Sequence, residues 1–459
     1  MLFETTQSHE LNLAKASVSG TLILSILPIL LTLFLPFIYV LSDMFYLDKF
    51  RHEFLSIAPL AFIPSIIILF FATGTSGLIT KHIARFDYER AESIAGSGVI
   101  WSFIIGLSIT ASGAYFLAQL NLETDNISNN LKTYLQPILV AIPFLFLTLT
   151  YIELLRAQGK TIVIALIIVF SIALNIALNH IANEFSGFQI LGIAGASTAS
   201  LIITSLILMA ILSSGRTEIR VKAEHFRPSS SDLSSIIAHS SVFFSLVASM
   251  GITITGFFLW INKIQPNHLN NDLFNQAFFI SSTVCLVLFS PCIALLLAYQ
   301  TLSTFNLTTF IYQRVKLAHK FTIRLISVYG ILLSSAILIF PTQILDILAI
   351  NPLLNDQVIN LCLIFSIGFT LFFINATWST FLQTQNSLFS ANLITWLPTA
   401  LLAGTYFASP LLENLINTRL NIEMLGYLFI TAQLFTSVFA WTRFTFAFHA
   451  INKVTIEKE

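Results

Sequence analysis

A carboxylate and two amides stand out in this 459-residue chain because each lies in or against an apolar run where a polar side chain needs a reason. Asp43 follows a run containing Pro28 and Pro36, and Tyr39, four residues earlier, shares its helical face. Proline removes a backbone hydrogen bond and crowds the preceding turn, so this stretch reads as a bending element. Asp43 itself reads two ways, as the outer end of the first helix or as the first residue of an outer loop with Asp48 and Lys49. A carboxyl in a low-dielectric site can exchange a proton, and one surrounded by amide and hydroxyl oxygens can hold a hard cation such as sodium. Asn175 and Asn179, four apart in another apolar run, stack on one face. An amide pair turned to lipid would leave its polar atoms unsatisfied, so the two face a neighbouring helix, as interhelical glue or as the wall of a wet cavity. The segment Gly192-Ile193-Ala194-Gly195-Ala196-Ser197-Thr198-Ala199-Ser200 offers a small-residue surface for close helix packing. The second half is plainer. It offers His239, Ser240, Ser241, Gln276, Asn375, Thr377 and Gln383, while Asp346 and Asp356 read as flanking loops.

The elements that must position these residues follow from composition. Hydrophobic residues make up 56% of the chain and charged residues only 10%, and mean hydropathy is +0.84. A water-soluble domain carries about 25% charged residues, so this chain belongs in a bilayer. Its 22 Lys and Arg balance 22 Asp and Glu, which leaves no basic excess for nucleic acid. Cys285, Cys292 and Cys362 lie in apolar runs without the spacing of a disulfide framework or a zinc site. The N-terminus does not read as a cleavable signal peptide. No metalloprotease, nucleophile-elbow or P-loop pattern occurs, so neither an enzyme nor an ATP-driven pump has support.

A membrane-spanning helix needs about 20 mostly apolar residues. Twelve stretches meet that need, at 18–41, 54–79, 93–118, 134–155, 161–181, 190–213, 236–261, 273–299, 322–343, 358–382, 389–408 and 424–447. The expected architecture is an all-α polytopic membrane protein, with twelve transmembrane helices in two pseudo-symmetric six-helix bundles around a central cavity. Residues 1–213 form an N-lobe of helices 1–6, 214–235 a cytoplasmic linker, and 236–459 a C-lobe of helices 7–12 with a short cytoplasmic tail. Seventeen of the 22 Lys and Arg then fall on the side of the termini, leaving Lys49, Arg51, Lys132, Lys263 and Arg419 opposite. The positive-inside rule makes that first side cytoplasmic. The turn Arg156-Ala157-Gln158-Gly159-Lys160-Thr161 after the fourth span and Gln383-Thr384-Gln385-Asn386-Ser387 after the tenth sit 227 residues apart, as two parallel halves would place them.

Together these segments resemble the multidrug and toxic compound extrusion (MATE) family of the multidrug, oligosaccharidyl-lipid and polysaccharide exporter superfamily. The resemblance rests on Pro28 with Asp43, on Gly74 to Ala91 with Lys81, Asp87 and Glu89, on Arg156 to Thr161, and on Gly192 to Ser200. It runs over the whole chain, is strongest in the first half, and points to the prokaryotic DNA-damage-inducible-like subgroup. The resemblance implies a cation-coupling site of Asp43, Asn175, Asn179 and Ser200, occupied by a proton or by a sodium ion at Asp43, Asn175 and Asn179, with no other cofactor. Tyr39, Pro28 and Asn375 are weaker candidates for lining a substrate cavity. The chain departs from the subgroup in carrying Asn179 where a second acid is usual and Ser200 in place of threonine, and it lacks the helix-seven and helix-ten carboxylates of another subgroup. The implied function is secondary active efflux by alternating access. Small amphiphilic or cationic compounds would be exchanged by a monomer in the bacterial inner membrane, with both termini cytoplasmic. A flippase for a lipid-linked saccharide is the alternative within the superfamily, and would call for deep Lys or Arg to meet phosphates. A non-transporting membrane protein would not require the ordered polar set.

Overall fold

The computed structural model of the protein describes residues 13–47, 62–119, 129–184, 189–264, 271–341, 343, 355–416 and 422–456. Asp48, Lys49, Arg51, Asp346, Arg419 and Lys458 lie outside them. Among the described residues there are twelve long α-helices and no strand. In chain order these are α1 Val18–Tyr46, α2 Phe62–Ala84, α3 Tyr88–Gln119, α4 Asn129–Ala157, α5 Thr161–Glu184, α6 Gln189–Ser213, α7 Ser230–Ile264, α8 Asn271–Thr308, α9 Tyr312–Ile339, α10 Asn355–Thr384, α11 Leu388–Ile416 and α12 Ile422–Ile456. Helices are the expected outcome, because lipid offers no partner to a backbone N–H or C=O. Eleven of the twelve are long and apolar enough to cross a membrane. The other, α12, is 35 residues long and is interrupted by Gln433 and Arg443.

The helices extend beyond the apolar runs that predict them. α1 starts at a cap in which the Gly20 N–H donates to Ser17 Oγ at 3.3 Å, and it continues past residue 41 to Tyr46. Asp43 therefore sits within the last turn of a helix rather than in a loop.

The turns between helices carry the internal repeat in their backbones. Gly159, after α4, has φ +75°, and Asn386, after α10, has φ +62°. This is the left-handed region, which glycine enters freely and asparagine more readily than most residues. Around each of them the hydrogen bonds match: Lys160 N–H to Leu155 C=O at 3.0 Å and Ser387 N–H to Leu382 C=O at 2.9 Å. A second pair of turns repeats in the same way. Phe86 after α2 has φ +60° and Phe310 after α8 has φ +62°, and each donates to the carbonyl three residues earlier.

The chain forms two compact units, one of Met1–Ser240 with Thr304–Ile311 and the other of Ser241–Ser303 with Tyr312–Glu459. In the first, α4 packs against α2, α3 and α6, while α5 packs against α1 and α6. The segment following α6 is folded onto this unit. Ile219 and Val221 are buried, the Ile219 N–H donates to Gln158 Oε1 at 3.3 Å, and the Arg220 N–H donates to Glu92 Oε1 at 2.7 Å. Arg90 pairs with Asp232 at the start of α7 at 2.5 Å. The unit boundary accordingly falls inside α7, at Ser240, rather than at the helix start. The second unit has an aromatic core in which Phe289 stacks on Phe373 at 5.8 Å and Phe257 meets Phe429 edge-on at 5.4 Å.

At Gly74 of α2 the backbone of the opening turns of α7 comes close. A Cβ there would fall 2.5 Å from the Ile236 carbonyl oxygen and 2.8 Å from the Ser240 nitrogen. Gly74→Ala should cost about 1–3 kcal/mol through overpacking, read as a lower thermal midpoint. Gly195→Ala, where a Cβ meets nothing within 4 Å, should leave the midpoint unchanged or raise it.

Candidate functional site

Four helices of the first unit converge on Asp43. Its side chain is 1% exposed and sits beside a cluster of Met44, Leu47, Leu131, Tyr134, Ile193 and Ala194 that keeps water away. From α4 the Tyr134 hydroxyl donates to Oδ2 at 2.7 Å. From α5 the Asn179 amide donates to Oδ1 at 2.8 Å. From α6 the Ser197 hydroxyl lies 2.7 Å from Oδ1 and 2.9 Å from Oδ2. Behind it, the Asn175 amide donates to Ser197 Oγ at 2.8 Å.

All of these donors are neutral. Hydrogen bonds to a charged group are worth about 1.5–3 kcal/mol each, yet they leave the carboxylate's charge uncompensated in a dry site, which is costly. Among the described residues no cationic side chain pairs with Asp43. The site also keeps an acceptor in reserve: Asn179 Oδ1 is buried and has no hydrogen-bond partner among the described residues. Carboxylate oxygens, two hydroxyls and two amide oxygens form the donor set that a proton or a hard cation would use.

The spacing of four residues recurs on α1 and α5 because each new turn presents the same face. One turn inward from Asp43, the Tyr39 hydroxyl meets Ser171 Oγ at 2.7 Å, and Ser171 in turn meets Thr204 Oγ1 at 2.8 Å. This is a second polar layer stacked on the first.

The structure brings Asp43, Asn175 and Asn179 together, stacks Tyr39 one turn away, and keeps Ser200, Pro28 and Asn375 off the carboxylate. Ser200 donates to the carbonyl of Ala196 at 2.8 Å; Ser197, one turn closer to the start of α6, supplies the hydroxyl on Asp43 instead. Pro28 lies fifteen residues before Asp43, about 22 Å along the helix. Asn375 is in the second unit, where its amide donates to Gln433 Oε1 at 3.0 Å and its Oδ1 accepts from Ser437 at 2.8 Å. Tyr134 was not marked out by the sequence, since nothing in its immediate neighbours separates it from the chain's other tyrosines. Ser197→Ala removes a hydrogen bond to the buried carboxylate and should cost about 1.5–3 kcal/mol of stability, read as a lower thermal midpoint. Ser200→Ala, which removes only a bond to a carbonyl of its own helix, should lower the midpoint less.

Residues 28–181 match the MatE family model, a range that takes in Asp43, Tyr134, Asn175 and Asn179. The chain is 27% identical over 215 residues to the probable multidrug resistance protein YoeA of Bacillus subtilis (strain 168); the match covers 43% of this chain and 46% of that protein, about half its length. Its fold is similar to that of a multidrug resistance MATE family transporter of the MOP superfamily in an outward-facing conformation, with a TM-score of 0.79 and 18% identity over 97% of this chain and 99% of that one. A MOP superfamily transporter from Pyrococcus furiosus, described as having a binding pocket of reverse polarity, aligns with a TM-score of 0.77 and 17% identity, covering 96% and 98%.

Proposed function

We propose that this chain, whose residues 28–181 match the MatE family model and whose fold is similar to that of a MATE family transporter, is a secondary active exporter that exchanges a proton or a sodium ion for small amphiphilic or cationic compounds. The reading rests on one observation: Asp43 is a buried carboxylate held by neutral donors alone. Such a charge is relieved by a cation arriving from outside and exposed again when the cation leaves inside. A ligand shifts a conformational equilibrium only by binding one state better than another, and Asp43 is the group that supplies that difference here. One charge moving through 100 mV is worth about 2.3 kcal/mol, or roughly fiftyfold in substrate concentration, so a single carboxylate suffices. The bias of Lys and Arg toward the side of the termini supports both ends being cytoplasmic, and placement in a bacterial inner membrane rests on the family resemblance.

Efflux of a cationic dye from reconstituted vesicles, with proton and sodium gradients collapsed separately, tests the proposal. Loss of efflux on collapse of one gradient supports it, and efflux indifferent to both removes it. Sodium is the weaker candidate, since one negative charge rather than two must offset dehydration of the ion. Asn179→Asp supplies the second. A charge about 4 Å from the ion is worth several kcal/mol at an effective dielectric of about 20, so the half-saturating sodium concentration should fall at least about tenfold. An unchanged sodium dependence would separate Asn179 from the coupling ion.

A further inference from the structure

We propose that the second unit holds a binding site for an uncharged aromatic ring, between α7 and α11, at the position that the Asp43 site occupies in the first unit. The proposal stands independently of the exchange mechanism above.

The repeat makes α7 and α11 the counterparts of α1 and α5, and their polar landmarks agree. Tyr39 of α1 meets Ser171 of α5 at 2.7 Å; Thr253 of α7 meets Thr399 of α11 at 2.9 Å. Four residues beyond Tyr39 is Asp43, and four beyond Thr253 is Phe257. Four and eight beyond Ser171 are Asn175 and Asn179; the same steps from Thr399 reach Ala403 and Phe407. The three side chains that α1 and α5 bring to the Asp43 site, Asp43, Asn175 and Asn179, are thus replaced by apolar ones. In place of a hydrogen-bonded cluster there is a cavity of about 210 Å³ lined by these residues.

Its chemistry selects the occupant. No charged side chain lines the cavity, so an ion there would lack a partner. The Thr399 hydroxyl donates to the Ser249 carbonyl at 3.2 Å and faces Thr253, so the hydroxyl pair is already satisfied. Phe257, Tyr406 and Phe407 present ring faces and edges, the surfaces on which aromatic partners pack in offset or edge-on geometry. An enclosed apolar cavity of about 150 Å³ takes up benzene, so a volume of about 210 Å³ has room for one aromatic ring. Ile252, Leu259 and Phe407, at 52%, 58% and 80% exposure, flank it and leave it open at one side.

The test is photolabelling of the full chain in liposomes with 3-(trifluoromethyl)-3-phenyldiazirine, an uncharged aromatic probe, with excess naphthalene or palmitate as competitor. The expected result is saturable labelling at residues 252–259 and 399–407, displaced by naphthalene and not by palmitate. Gly256→Leu, where an added Cβ meets nothing within 4 Å, should fill the cavity and lower that labelling about tenfold, the loss of some 1.4 kcal/mol of binding, with labelling elsewhere unchanged. Ala403→Leu serves the same purpose should the first variant fail to elute as a single species. Labelling that rises linearly with probe and resists competition, displacement by palmitate alone, or labelling unaltered in a folded cavity-filling variant would each overturn the proposal.

Discussion

Asp43→Asn should reduce gradient-driven dye efflux to the level of empty vesicles. The substitution preserves size and shape, so packing among α1, α4, α5 and α6 survives, but an amide neither binds a proton in the relevant range nor carries a charge for a metal cation. The three donors now facing Asp43 are arranged for a carboxylate, and an amide nitrogen among them leaves at least one donor opposed. A modest loss of stability, about 1–3 kcal/mol for an unsatisfied buried group, is therefore expected beside the loss of transport. Size-exclusion behaviour and thermal midpoint separate the two. A folded variant with undiminished efflux would remove Asp43 from the mechanism.

Arg156→Ala should be the most damaging substitution to the fold itself. At the end of α4, Arg156 Nε lies 2.9 and 2.8 Å from the two Glu153 oxygens and Nη2 lies 2.5 Å from Oε2. Both residues are almost fully buried, at 3% and 2% exposure. Removing one member of such a pair strands the other charge and costs about 3–5 kcal/mol, a large share of the 5–15 kcal/mol that holds a typical domain together. The readout is loss of monodisperse protein and a lower unfolding midpoint. Replacing both residues, Glu153→Met with Arg156→Met, should recover much of the loss, because two apolar side chains of similar length need no partner. Equal stability of the single and double variants would show that the stranded glutamate is not the cause.

Much of the architecture is legible from apolar run length, because in lipid that one property decides the presence of a helix. The paired turns at Gly159 and Asn386 were visible as an offset of 227 residues, and the matching backbone angles give that offset a physical meaning. Helix ends were less legible. The end of α1 contains Ser42 and Asp43, polar residues that end an apolar run without ending a helix, since their partners come from other helices. The same cause limits the reading of the site. Asn175 and Asn179 announce themselves by their spacing on one face, whereas the choice between Ser197 and Ser200 depends on how far α6 is displaced along its axis relative to α1. A shift of three residues is about 4.5 Å, and a run of small residues carries no mark of it. Tyr134 reaches Asp43 through the packing of α4 against α6, a relation no local pattern encodes.

In the proposed exchange, a cation leaves Asp43 when substrate arrives. The most direct measurement is cation release from the purified protein in nanodiscs in a single substrate addition, with protons followed by an indicator in weak buffer and sodium by a radioactive tracer. Wild type should release one of the two on addition of a cationic dye, and Asp43→Asn should release neither. Equal release from a folded Asp43→Asn variant would contradict the claim.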